Sequence, residues 1–162
     1  MDGLSVLDSG MDIKKYLAEK GLSPELLCKT ESNDILILPT CYSPGEYYYA
    51  QESIDFVKFC REVDKDVKVD ILDDGDITMR SLHSFDIWMP LMLVAEKVMF
   101  PLGVALIVKY IDYKIKGRES EPVSIDVTIQ VKDNKREKTI HYKGDAKTFK
   151  EEFDKIDINK LK

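Results

Sequence analysis

From Val123 to Lys132, apolar and polar residues alternate without a break. Val123, Ile125, Val127, Ile129 and Val131 interleave with Ser124, Asp126, Thr128, Gln130 and Lys132. A helix would scatter those five β-branched side chains around its axis, whereas a strand sends them all to one face. The pattern therefore predicts a half-buried strand. Asp133-Asn134-Lys135-Arg136 turns the chain, and Ile140 and Tyr142 resume the apolar face on a return strand. Residues 123–143 are thus expected to form a two-stranded antiparallel hairpin. Its apolar face needs a cover, for which helices around Val104 and Phe149 are the natural candidates. Gly144-Asp145 opens a final helix with Phe149, Phe153 and Ile156 on one side. The outward face, with Asp126, Gln130, Lys132 and His141, reads as solvated.

Upstream, Asp12 is placed to cap a helix that runs through Lys20, with Ile13, Tyr16 and Leu17 on one face and Gly21 as its stop. Ser23-Pro24-Glu25 predicts a second, short helix start that ends near Lys29. Asp34 to Leu38 reads as a buried strand. The loop from Pro39 to Gly45, with a proline near each end, is expected to be neither helix nor interior strand. A helix is expected from Glu46 to Glu62, and a strand from Val67 to Leu72. Strand, helix and strand in this order suggest a βαβ unit. Asp73-Asp74-Gly75-Asp76 reads as a turn.

Residues 85–115 are almost continuously apolar, broken by Pro90, Pro101 and Gly103. Two helices are expected, one ending near Phe100 and one running from Pro101 to about Lys116, with Gly117 as the stop. A membrane span needs about 20 predominantly apolar residues. Glu96 and Lys97 interrupt this block, and a charge at the centre of a span costs about 2.5–3.5 kcal/mol. Trp88 near one end, with Tyr110, Tyr113, Lys114 and Lys116 near the other, resembles an interfacial border. The interruption favours buried helices or a helical contact surface, and an anchor through residues 87–111 is the alternative. An uncovered face of this block, carrying Trp88, Met89 and Met92, would form an apolar patch of the kind that marks a partner surface.

Composition narrows the function classes. Of 162 residues, 44% are hydrophobic and 33% charged, and the net charge is −6, which describes a globular chain and disfavours nonspecific nucleic-acid binding. Cys28, Cys41 and Cys60 are odd in number and widely spaced, so neither a disulfide framework nor a zinc knuckle is expected. Reduced thiols and an acidic start, Met1-Asp2-Gly3, point to a cytoplasmic protein.

No catalytic set emerges. Cys41 follows a strand and precedes an expected helix, where helix N–H groups would favour a thiolate. A phosphatase-type loop requires an arginine six positions on, and that position is Tyr47. A cysteine-dependent enzyme using Cys41 is therefore a lesser alternative. Aligning Gly75 with the glycine of an EF-hand loop puts Asp70 and Asp74 at ligand positions but Leu72 and Ser81 at two others, so the match fails. His83 and His141 are the two histidines and have no ligand-spaced partners. No cofactor, metal or small-molecule ligand is expected. Tyr47, Tyr48 and Tyr49 suit an aromatic contact surface, or packing over the βαβ layer.

An apolar helix pair with a mid-block proline (Val98-Met99-Phe100-Pro101-Leu102) runs into Tyr110-Ile111-Asp112-Tyr113-Lys114, then an alternating strand pair and a helix start at Gly144-Asp145. This layout, over residues 85–156, resembles small effector-associated accessory domains of bacterial conflict and defence systems. The resemblance implies a protein that couples a partner to an effector without catalysis of its own.

The expected architecture is a single α+β domain over residues 1–162. It comprises an N-terminal helical segment (1–33), a βαβ element (34–76), an apolar helical pair (85–116) and a C-terminal β-hairpin plus helix (122–156), on one mixed four-stranded sheet. The expected function is that of a non-catalytic adaptor acting through a protein partner or self-association, with Tyr47, Tyr48, Tyr49, Trp88, Met89 and Met92 as contact residues.

Overall fold

The computed structural model describes residues 3–7, 11–73, 77–80, 87–94, 99–116, 123–133 and 136–154. Asp74 to Asp76, His83, Glu96 and Lys97, Gly117, the linker 119–122, the turn residues 134 and 135, and Ile156 lie outside them. In chain order the strands are β1 (Gly3–Leu7), β2 (Ile35–Leu38), β3 (Thr40–Ser43), β4 (Glu46–Ala50), β5 (Val69–Ile71), β6 (Met79–Arg80), β7 (Ile87–Val94), β8 (Ser124–Asp133) and β9 (Arg136–Asp145). The helices are α1 (Ile13–Glu19), α2 (Lys29–Ser32), α3 (Ser53–Val63), α4 (Phe100–Lys114) and α5 (Ala146–Asp154), with a 3-10 turn at Pro24–Cys28.

The hairpin at 123–143 is present: β8 and β9 pair antiparallel from Ser124 opposite Asp145 to Asp133 opposite Arg136. Its setting differs from expectation. Six strands form one sheet in the order β1-β9-β8-β7-β2-β5, and three more form a second sheet, β3-β4-β6. The mixed four-stranded sheet with a single βαβ element is therefore wrong. β2 and β5 do pair in parallel, but a strand hairpin precedes α3 in the connection between them.

Two misread segments account for three of the five added strands; the others are β1, in a stretch read as part of the helical segment 1–33, and the short β6. The first segment is Pro39 to Ala50. Gly45 adopts φ +80°, a left-handed conformation that glycine tolerates, and it lets β3 fold back on β4, with Thr40 opposite Tyr48. The three tyrosines favour the strand, and the helix begins only at Ser53. The second segment is 87–94, expected as helix and found as β7 between β8 and β2. Pro90 sits in this interior strand because the ladder is irregular there. Trp88 lies opposite Asp126 and Leu91 opposite Thr128, so β7 spends one residue more than β8. Such a bulge is where a proline, lacking an N–H, fits into a sheet.

The bulge also reverses the phase of the strand. Before it, Ile87 and Met89 join the larger core; after it, Met92 and Val94 do. Leu91 and Leu93 join the smaller core on the opposite face. Alternate residues of β2 divide likewise, Ile35 and Ile37 into the larger core and Leu36 and Leu38 into the smaller. The larger core holds the inward residues of β8 and β9 against α3, α4 and α5. Gly103 of α4 stands where an added Cβ would lie 3.4 Å from Met92 Sδ, so this helix rides close on β7. Ile35, Ile37, Ile125, Val127, Ile129 and Ile140 are fully buried, each worth about 1.5–3 kcal/mol relative to exposure.

The apolar block thus divides between a central strand and one 15-residue helix. No helix among the described residues is long and apolar enough to cross a membrane.

Candidate functional site

α1 and the 3-10 turn cover the sheet's second face only over β5, β2 and β7. Ile13, Tyr16, Leu17 and Leu26 pack there on Leu36, Leu38 and Leu93. Asp12 fixes the start of α1, its carboxylate accepting from Lys15 N at 3.1 Å. Beyond β7 the same face carries the polar residues of β8 and β9. A cleft of about 430 Å³ opens at this boundary.

Each wall comes from a different element. Met11, Asp12 and Lys15 at the head of α1 form one side, and Thr40, Cys41 and Tyr47 of the β3–β4 hairpin form the other. Leu91, Thr128, Gln130 and Thr139 of the large sheet line its base. Gln130 was expected to be solvated and is instead fully buried. Its Oε1 accepts from Met11 N at 2.8 Å, so a strand side chain replaces water in holding the segment that leads into α1. Fully burying an amide requires such a partner.

Tyr47 is the best-anchored wall residue. Its ring meets Tyr16 edge-on with centroids 4.6 Å apart, Lys20 Nζ lies 5.7 Å from the ring centre, and its hydroxyl donates to Glu19 Oε2 at 2.6 Å. That hydrogen bond, followed by burial, pushes the phenol up to about 12. Beside it, Tyr16 donates to Asp73 Oδ2 at 2.6 Å. Burial and then Asp73 push the phenols of Tyr16 and Tyr49 up as well.

Cys41 is exposed, and its thiol donates to Ser43 O at 3.3 Å. The residues that follow it form β4, so the helix N-terminus expected to favour a thiolate is not beside it. Cys60 is fully buried, and burial pushes its thiol up to about 12, which makes it an inert core residue. No group of three or more potential ligands suited to a metal ion occurs among the described residues.

Of the six expected contact residues, Tyr47 and Tyr48 lie at the surface, half-buried. Tyr48 carries Arg80 over its ring, 5.3 Å from the centroid. Tyr49, Met89 and Met92 belong to the larger core, and Trp88 is 6% exposed. The apolar patch expected at Trp88, Met89 and Met92 is therefore not formed, because β7 is covered on both faces.

The sequence reading missed Asp12, Lys15, Thr40, Thr128 and Thr139 as cleft residues. Their one signal is the polar phase of β8, read as solvent-facing. It also missed the pair formed by His141 Nε2 and Asp126 Oδ1, 2.9 Å apart across β8 and β9. Compared with known proteins, the chain matches no family model, no curated protein and no solved structure.

Proposed function

We propose that the chain is a non-catalytic adaptor or accessory protein that holds a segment of a protein partner in the cleft between α1, the β3–β4 hairpin and the polar phase of β8 and β9. The observation that carries this reading is the cleft's lining. Hydroxyls of Thr40, Thr128 and Thr139 stand beside an aromatic wall, an apolar base at Leu91 and one cation, Lys15. Convergent hydrogen-bonding groups around an apolar base suit recognition. The thiol that a cysteine-dependent reaction would use is turned to its own loop carbonyl. A cytoplasmic setting is supported by three free thiols, two of them exposed. A place in a bacterial defence system rests on the layout resemblance alone, and β7 now stands where that layout had its first helix.

The test is purification from the native host of the wild type beside Lys15→Glu and Cys41→Tyr. Both substitutions alter exposed cleft residues and leave the core intact. The expected result is one protein retained by the wild type and lost from both variants at unchanged melting temperature. Equal retention by all three, or turnover of a small molecule that Cys41→Ser abolishes, would overturn the reading.

A further inference from the structure

The two edges of the six-stranded sheet are finished differently. At the β5 edge, Lys68 O accepts from Ile35 N of β2, so Val69 O and Ile71 O, one and three residues on, point to the open side. Side chains occupy both. Arg61 donates to Val69 O through Nε at 3.1 Å and Nη2 at 2.9 Å, and Lys29 Nζ donates to Ile71 O at 2.8 Å. Asp70 holds the two cations in place, at 3.3 Å from Lys29 and 3.4 Å from Arg61. Cations laid along an edge block the addition of another strand.

β1, the opposite edge, has none of this protection in its sequence. Gly3-Leu4-Ser5-Val6-Leu7 contains neither a charge nor a proline. Leu4 lies opposite Tyr142 and Val6 opposite Ile140, so the apolar rows of the larger core run out to this strand. They stop there unfinished: Val6 is 44% exposed, although its neighbour Ile140 is fully buried.

We propose that β1 is a self-association edge, where two copies of the chain pair β1 with β1, antiparallel, about a two-fold axis through Ser5. This centring is the one that pairs all five residues. It sets Leu4 against Val6 of the second copy twice over, extending both apolar rows, and Ser5 against Ser5 on the polar face. An isologous contact requires such self-complementarity, and main-chain pairing at an open edge supplies the affinity. The result is one continuous sheet across two molecules. No lining residue of the cleft belongs to β1, so this inference does not depend on the cleft reading.

The test is sedimentation equilibrium of the full chain over a wide concentration range. The wild-type mass is expected to rise towards twice 18.6 kDa, and Val6→Lys is expected to stay at the monomer mass with unchanged circular dichroism. Ser5→Cys, in a Cys28→Ser, Cys41→Ser background, is expected to form a disulfide-linked dimer with oxidised glutathione, since directly opposed strand residues lie within disulfide reach. A wild type that stays monomeric throughout, a Val6→Lys chain that dimerises equally, or a Ser5→Cys chain that does not cross-link would each overturn the proposal.

Discussion

Glu52 shows how much one side chain carries. It is 6% exposed, accepts from Tyr110 Oη at 2.5 Å and lies 3.3 Å from Lys114 Nζ. It therefore ties the residue before α3 to the last turns of α4. Glu52→Ala leaves a buried hydroxyl without its acceptor, and the expected loss is about 1–3 kcal/mol, read from the urea midpoint. Gly144 is constrained differently. A Cβ there would stand 3.1 Å from Tyr142 Oη, and that hydroxyl is held at 2.7 Å from Asp145 O and 2.6 Å from Thr148 Oγ1. Gly144→Ala should cost about 1–3 kcal/mol, because the ring cannot retreat without breaking those bonds. Tyr47 gives a pH signature. Its folded value of about 12 lies above the ordinary 10.0, so the neutral phenol is the stabilising form. That contribution is complete below pH 10 and is lost as pH rises through 12. Tyr47→Phe should therefore flatten part of the alkaline fall in the urea midpoint, and an unchanged slope would contradict the Glu19 hydrogen bond.

At the scale of elements, β7 holds one residue more than its pairing with β8 uses. Deleting Pro90 would remove the bulge and leave Ile87, Met89, Met92 and Val94 in unbroken alternation on the larger-core face, in register with Ile125 to Val131 of β8 and with Trp88 on its present face. The expected outcome is that the cooperative unfolding transition and the near-ultraviolet signal of Trp88 both persist, and loss of either would contradict the bulge. Pro90→Ala keeps the residue count and should fold. The same bulge explains why β7 was illegible. An unbroken apolar run shows no period, and a proline in it reads as a helix boundary. The hairpin β8–β9 was legible because Val123 to Val131 are paired with polar residues at every step. The caps were legible too: Asp12 accepts from Lys15 N, and Ser23 Oγ from Glu25 N at 3.2 Å. The β3–β4 hairpin was not, because Tyr47, Tyr48 and Tyr49 have no apolar–polar alternation and their strand pairing is decided by the turn at Gly45. The cleft was least legible of all. Its residues come from α1, β3, β4, β7, β8 and β9, and only the sheet order brings them together.

At the scale of the whole molecule, one sheet serves two purposes. Its larger core binds β7, β8, β9 and three helices into the framework. Its other face is covered over three strands and polar over the rest, and the cleft lies where the cover stops. Gln130 joins the two regions, since its amide is held by Met11 while its neighbours Thr128 and Thr139 line the opening. Replacing Gln130 with Leu should lower the melting temperature and loosen the start of α1, seen as faster hydrogen exchange at Met11, whose N–H is the bonded group. The central claim, that this cleft receives a protein, is tested most directly by photocrosslinking in the native host. A benzophenone side chain is placed at Cys41 in the cleft and, as a control, at Tyr113, which is 64% exposed on α4. The account predicts one discrete protein adduct from position 41 and none of that mass from position 113. No adduct from 41, or the same adduct from both positions, would contradict it.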